Sequence, residues 1–431
     1  MSGENGITEL PTELSNKDRD GIALAFVGAI VPDEPRFRTS AFSQAGQMYQ
    51  QELLVGLQRA GLPASAIISV IPVASRRHGE MGRRWFGGGD TTLWEGMLIK
   101  FVPFINVTPL KQISIGIGTA IELLRWGWRN RLARFRVVYC YNLSVPPGIF
   151  ILLSAWLIRA RTVVSLCDID VPGETVPKTL FWKLDYWMQR RLIRHFDGHV
   201  VASDVIARDF LDGKPHLRLE GGIRQQDLDR TDGYELCENK QDGERPFVIA
   251  AAGYLNETNG LPVLLEAFSL LRGERFRLRI AGRGPLEERV RAAAARDQRI
   301  EFLGLLSFEG VLKVYSSSSV LINMRITKSR NTKYFFPSKM MEYLASGVPV
   351  ISTCTGHVEE EFGAFTHLLR EETPQALCQL IEYVAAIDPE ERRKTGQRAR
   401  AYMAKHKTWA AQTQKLAEFI RGTVLQLRAP A

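Results

Sequence analysis

The chain has 431 residues, 45% hydrophobic and 24% charged, the composition of an ordinary folded protein and not of a disordered, collagenous or disulfide-stapled one. That length exceeds what one hydrophobic core usually serves, so two domains are expected. The formal net charge of +9 leaves polyanions, anionic lipid and phosphate-bearing substrates open as partners.

Residues 1–20, MSGENGITELPTELSNKDRD, are polar with no apolar stretch and read as a disordered lead-in, not a secretory signal. From 21 to 223, apolar β-rich runs alternate with helical patterns, the sequence form of a parallel sheet covered by helices. Strands are expected at 22–30, 66–73, 99–105, 137–142, 162–166, 198–202 and 217–220, and helices at 45–60, 110–135, 148–159, 179–196 and 204–211. Gly28 breaks the first strand ahead of a long polar loop. Residues 76–90, RRHGEMGRRWFGGGD, read as a mobile basic loop placed to close over a substrate or touch a membrane. The longest nearly uncharged apolar run, 145–158, is shorter than the about 20 residues a spanning helix needs, so no transmembrane segment is expected.

Charge is uneven along this half. Residues 36–164 hold sixteen Lys and Arg against five Asp and Glu, a net of +11 that exceeds the total for the chain. An anionic membrane surface is therefore an expected partner. Within this segment Ile121, Leu124, Trp128, Leu132 and Phe135 share one helical face, expected to lie on the sheet. Leu123 and Trp126 fall on the far side among arginines, as interfacial anchors would.

The strand at 162–166 runs into SLCDIDVPGE, where Asp168 and Asp170 stand in a D-x-D. Hard carboxylates at that spacing suit a divalent metal between phosphates, and an acid there can equally cap the next helix. Cys140, Cys167, Cys237, Cys354 and Cys378 are scattered, without metal-ligand spacing, and read as reduced thiols. Residues 224–245 are polar and aperiodic, a linker. A second domain, 246–406, opens with a buried strand, a turn at Gly253 and an amphipathic helix, and repeats the unit with Gly282 and Arg283. Residues 407–431 form a final amphipathic helix.

The stretch 335–353, FFPSKMMEYLASGVPVIST, reads as loop, helix from Pro337, Gly347 as C-cap, and buried strand. Unpaired N–H groups at the helix start, with Ser338 and Lys339 beside them, can hold a diphosphate. Glu342, one turn on, can accept from a pair of vicinal hydroxyls such as a ribose carries. On local chemistry alone an ordinary amphipathic helix fits equally well.

The run PSKMMEYLASGVPVIS resembles the nucleotide-sugar signature of glycosyltransferase family 4, a retaining group with the two-domain GT-B fold. Upstream, VLINMRITKSRNTKYFFPSK is similar to a form common in bacterial polysaccharide-assembly transferases. The resemblance covers the second domain closely and the first only by arrangement. It implies an α/β fold of two Rossmann-like, doubly wound domains facing across a cleft, with 407–431 crossing back to the first. It further implies that Glu342 binds the donor ribose, that the helix start at Ser338 and Lys339 faces the donor diphosphate, and that the turns at Gly253 and Gly282 face the donor. The Gly28 loop would border acceptor and pyrophosphate, and the loop with Asp168 and Asp170 would face the acceptor. Asp168 is then the first choice for acceptor contact or proton acceptance, and no metal is needed.

Two departures stand out. Family members carry an Arg and a Lys in the first loop of the second domain where this chain has Tyr254 and Asn259, and a Glu eight residues before Glu342 where it has Tyr334. Arg325, closing the strand at 320–324, is expected with Lys339 to replace the missing cations, and Arg283 to assist. The function expected is a cytoplasmic glycosyltransferase, peripheral on the inner face of the membrane. It would move a sugar from a nucleoside-diphosphate sugar to a polysaccharide or lipid-linked acceptor, without a cofactor. A GT-B-like epimerase or phosphorylase, and a binding protein that has lost catalysis, remain alternatives. The basic segment carries no nucleic-acid motif.

Overall fold

The computed structural model describes residues 21–34, 37, 42–75, 83–88, 91–108, 110–142, 144–167, 169, 171–173, 176–232, 246–327, 334 and 336–426. The expected lead-in at 1–20, most of the basic loop at 76–90, and Asp168 and Asp170 lie outside them.

The first half begins with β1 (Ile22–Gly28), α1 (Gln44–Arg59), β2 (Ala64–Ser69), β3 (Trp85–Phe86), β4 (Thr91–Trp94), β5 (Met97–Phe101) and β6 (Phe104–Ile105). It continues through α2 (Leu110–Arg129), β7 (Phe135–Tyr141), α3 (Val145–Leu157), β8 (Arg161–Leu166), α4 (Leu180–Ile193), β9 (Gly198–Val201), α5 (Asp204–Phe210), β10 (His216–Arg218) and α6 (Gln225–Asp232). Eight strands form one sheet in the order β10-β9-β8-β7-β1-β2-β5-β4, parallel throughout except for β4, an antiparallel edge on β5. Its central strands are buried on both faces, which is why they read as unbroken apolar runs. The stretch expected to be an aperiodic linker opens with α6.

The second half runs β11 (Phe247–Tyr254), α7 (Leu261–Leu270), β12 (Phe276–Arg283), α8 (Glu287–Arg296), β13 (Ile300–Gly304), α9 (Phe308–Ser316), β14 (Val320–Asn323), α10 (Ser338–Ala345) and β15 (Val350–Thr353). After α11 (Val358–Phe362), β16 (His367–Leu369), α12 (Pro374–Ala386) and α13 (Pro389–His406) comes α14 (Trp409–Phe419), which runs on as a π-helical turn at Ile420–Val424. Six parallel strands are ordered β13-β12-β11-β14-β15-β16, so the order reverses between β11 and β14. Crevices at such reversals are where doubly wound sheets hold ligands.

Helix α14 leaves the second sheet and packs on α1 of the first, with Trp409, Leu416 and Ile420 in the core that surrounds β1. The two chain crossings lie side by side: Ile223 N donates to Lys407 O at 2.8 Å and Trp409 N to Ile223 O at 3.1 Å.

One expectation about a face is reversed. Leu123 and Trp126 are buried against the first sheet, and Ile121, Leu124, Trp128 and Leu132 are the exposed ones. The helix also stops at Arg129, so Phe135 belongs to β7. The physical reason is backbone approach. The inner face of α2 carries small residues, and a Cβ on Gly116 would stand 2.3 Å from the Phe150 ring of α3. Close contact there fixes the helix rotation, and Trp126 Nε1 completes it by donating to Ser65 Oγ at 2.9 Å.

Candidate functional site

At the carboxyl edge of the second sheet, beside the strand-order reversal, lies a cavity of about 320 Å³. Gly253, Asn259, Arg325, Phe336 and Lys339 are among its lining residues. β11 and β12 run in register to their ends, pairing Gly253 with Gly282 and Tyr254 with Arg283. Both glycines have positive φ, 145° at Gly253 and 135° at Gly282, a region closed to residues with a Cβ. A Cβ on Gly282 would sit 1.8 Å from the carbonyl oxygen of Gly253, and one on Gly253 would sit 1.5 Å from Lys339 Nζ. The glycines thus allow two strand ends and one ammonium to share a single small space.

Lys339 enters that space from the first turn of α10. Its Nζ donates to Ala252 O at 2.6 Å, and Tyr343, one turn further, donates to the same carbonyl at 3.1 Å while accepting from Ala252 N at 2.8 Å. Tyr343 has no part in the expectations above, although its spacing from Lys339 already put both on one helix face. Ser338 is the first residue of α10, one position later than the helix start read from sequence, and Pro337 is its N-cap.

Arg325 follows β14. Its backbone N–H donates to Thr353 Oγ1 at 3.0 Å and its Nη1 to Asn259 Oδ1 at 3.1 Å. Asn259 in turn donates through Nδ2 to Tyr254 O at 2.7 Å. The position where the family pattern has a cation is therefore occupied by an amide that orients another cation. Arg325 and Lys339 line the same cavity, whereas Arg283, at the end of β12, is exposed.

Glu342 is half-buried, and desolvation raises its carboxyl above the ordinary range, with Lys339 and Arg224 opposing the rise and Asp227 adding to it. No hydrogen bond to its carboxylate forms among the described residues. Burial also lowers the Lys339 ammonium, with Glu342 acting against that shift. An anion beside Lys339 and hydroxyls beside Glu342 would relieve both costs. Arg224 and Asp227, paired at 2.7 Å, belong to the stretch read as a linker and reach the site only through the fold.

On the facing side, Gly28 ends β1 where Gln50 Oε1 accepts from Ala29 N at 2.8 Å, and Gln47 exchanges two hydrogen bonds with the backbone of Val31. Two buried glutamines of α1 therefore hold the start of the loop after β1. Asp168 and Asp170 lie outside the described residues, while Ile169 between them is buried. Tyr334 reaches the first half of the molecule: its hydroxyl donates to Asp209 Oδ2 at 2.9 Å and its ring meets Phe210 edge-on at 5.2 Å. A tyrosine where the pattern has Glu serves here as a contact between halves.

Where the chain crosses between sheets, Glu220, His357 and Glu361 approach closely enough to ligate a metal. Lys407 Nζ already stands among them, 3.0 Å from Glu220 and 2.7 Å from Glu361, and Arg218 lies 3.1 Å and 2.7 Å from the same two carboxylates. Fixed cations fill the role a metal would have, so this is an ion-pair network. Burial alone would raise Glu220, but the His357 ring and the Lys407 charge bring it down to about 2. His357 stacks on Phe336 at 5.0 Å, which ties the crossing to the wall of the cavity.

Residues 246–386 match the family model described as Glycosyl transferases group 1. Over 183 residues the chain is 30% identical to WcaL of Salmonella typhimurium, provisionally named a colanic acid biosynthesis glycosyltransferase; the match covers 41% of this chain and 45% of that protein. The chain thus spans under half the length of that relative. A solved glycosyltransferase from Rickettsia africae is similar with a TM-score of 0.66 at 15% identity, over 94% of this chain and 100% of that one. Anabaena HepE, solved in complex with UDP and glucose, is similar with a TM-score of 0.58 at 12% identity, over 92% and 99%. The fold is GT-B: two Rossmann-like α/β domains with parallel sheets, as the resemblance implied.

Proposed function

We propose that this protein is a glycosyltransferase that takes a nucleoside-diphosphate sugar at the edge of the second sheet and transfers the sugar to a saccharide or lipid-linked acceptor. The observation that carries the reading is the convergence of Lys339, Arg325 and Gly253 on one cavity, with Gly282 paired beside Gly253 and Glu342 one turn along the helix from Lys339. The match of this segment to the group 1 glycosyl transferase model, and the UDP bound in HepE, support it.

In this reading the diphosphate lies at the start of α10, where Lys339 and Arg325 pair with its charge and the helix N-terminus adds unpaired N–H groups. Glu342 accepts from the ribose hydroxyls. Stabilisation of the departing diphosphate supplies most of the catalysis, and that diphosphate, or Asp168, takes the acceptor proton, with retention at the anomeric carbon. Arg325 with its Asn259 brace replaces the clamp that Tyr254 and Asn259 lack.

The test is release of nucleoside diphosphate from a panel of UDP-, GDP- and dTDP-sugars, with and without excess chelator. One sugar nucleotide turning over, in chelator as well, is the expected result. Tight nucleotide binding with no turnover on any acceptor would convert the protein to a binding module, and turnover abolished by chelator would return the D-x-D at Asp168 and Asp170 to metal binding.

A further inference from the structure

Three neighbouring helices on one face of the first sheet present apolar stripes outward. On α2 the stripe is Ile113, Ile117, Ile121, Leu124 and Trp128, and the opposite side holds Leu123 and Trp126 against the sheet. On α3 it is Ile149, Leu153, Trp156 and Leu157, with Trp156 73% exposed, and the helix has no ionisable residue. On α4 it is Leu180, Phe181, Leu184 and Trp187, with Leu180 82% exposed. α2 packs along α3, and α3 touches α4, so the stripes share one face. Scattered exposed apolar residues need no explanation, whereas a contiguous face of this kind marks an interaction surface.

The charges around it select the partner. The two outer helices carry Arg125, Arg129, Lys183, Arg190 and Arg191 against Glu122 and Asp185, and Arg131 and Arg159 follow the ends of α2 and α3, whereas Lys111 is buried on the inner side of α2. Arg131 lies over the Trp128 ring at 5.0 Å and Arg191 over Trp187 at 4.3 Å. We propose that the outer faces of α2, α3 and α4 are a docking surface for a bilayer of anionic phospholipid. The charge-free α3 enters the headgroup boundary, the tryptophans sit at the depth that suits an amphipathic ring, and the arginine rim meets lipid phosphates. A second copy of the chain fits poorly, because self-pairing sets two basic rims against each other. Among the described residues no helix is long and apolar enough to cross a membrane, so this face lies on the surface.

Position gives the surface its use. Helix α3 follows the parallel strand β7 after three residues, so its first turn lies at the carboxyl edge of the first sheet, and α4 packs beside α3. Docking there would bring that edge to the bilayer, where a lipid-linked acceptor presents its head; this last step rests on the transferase reading, and the docking itself does not.

The test is sedimentation of the full chain with phosphatidylglycerol–phosphatidylethanolamine vesicles and with phosphatidylcholine vesicles, across salt. Binding to the anionic vesicles alone, released by salt, is expected. The triple variant Arg125→Gln/Arg129→Gln/Arg131→Gln should lower the partition coefficient on the order of a hundredfold, since each arginine near such a surface contributes about fivefold. Leu153→Ser/Trp156→Ser/Trp187→Ser, at exposed positions and so expected to leave the melting temperature unchanged, should abolish quenching of tryptophan fluorescence by brominated lipid. No binding to anionic vesicles, or equal binding by the serine variant, would overturn the proposal. So would concentration-dependent dimerisation in analytical ultracentrifugation that the serine variant abolishes while vesicles stay unbound. None of these readings uses turnover, so they stand or fall apart from the donor panel.

Discussion

Replacing Glu342 by Gln separates the cost of building the site from its use. The carboxylate is half-buried with no hydrogen-bonding partner among the described residues, so both oxygens are open to a ligand. A hydrogen bond to a charged acceptor contributes about 1.5–3 kcal/mol and a neutral one about 0.5–1.5 kcal/mol. Two ribose hydroxyls that lose charge assistance therefore forfeit about 2–3 kcal/mol, a rise in the Kd of the nucleoside diphosphate of about 30- to 150-fold by calorimetry. Stability should move the other way. Burial raises the Glu342 pKa in the folded state above its unfolded value of 4.5, so the folded protein holds the proton more tightly. Stability lost to the buried charge is then fully expressed above the folded pKa and absent below the unfolded one. Glu342→Gln should melt higher than the parent at pH 7 and equally below about pH 4. An unchanged Kd in a folded variant, or a lower melting temperature at pH 7, would refute the reasoning.

Lys339→Met and Arg325→Met should each weaken the nucleoside diphosphate by about 1.5–3 kcal/mol and leave the nucleoside nearly unaffected, read by calorimetry with both ligands; equal losses would signal a folding defect. Gly282→Ala should fail to fold or lose several kcal/mol in urea denaturation, because its Cβ would meet backbone 1.8 Å away. Gly253→Ala should cost less, because the flexible Lys339 chain can yield, and should lose diphosphate affinity as it does so. Lys407→Met leaves Glu220 and Glu361 short of a buried cation and should cost about 3–5 kcal/mol. In the parent, Glu220 near 2 against 4.5 unfolded means that its stabilisation is present above pH 4.5 and is lost as pH falls toward 2, which acid denaturation with and without Glu220→Gln would show.

Local order made much of this molecule legible from its residues. Unbroken apolar runs between helical periods announce parallel strands covered on both faces, and the Ser338–Thr353 stretch carries its helix, C-terminal Gly347 and buried strand in contiguous residues. That Lys339 and Glu342 are neighbours is legible for the same reason: a helix turn fixes which side chains are close before any tertiary contact exists. Three things were settled only by the fold. The rotation of α2 could not be read from its period, because both faces are apolar and the choice fell to the small inner residues that let α3 approach. The brace on Arg325 depends on Asn259, which comes from another strand–helix turn and looks, in sequence, like a missing cation. The network of Glu220, Lys407, Glu361 and Arg218 joins residues as much as 187 positions apart. No local pattern encodes such pairs, since what brings them together is the return of the chain across the two sheets, and burial is what makes their charges matter.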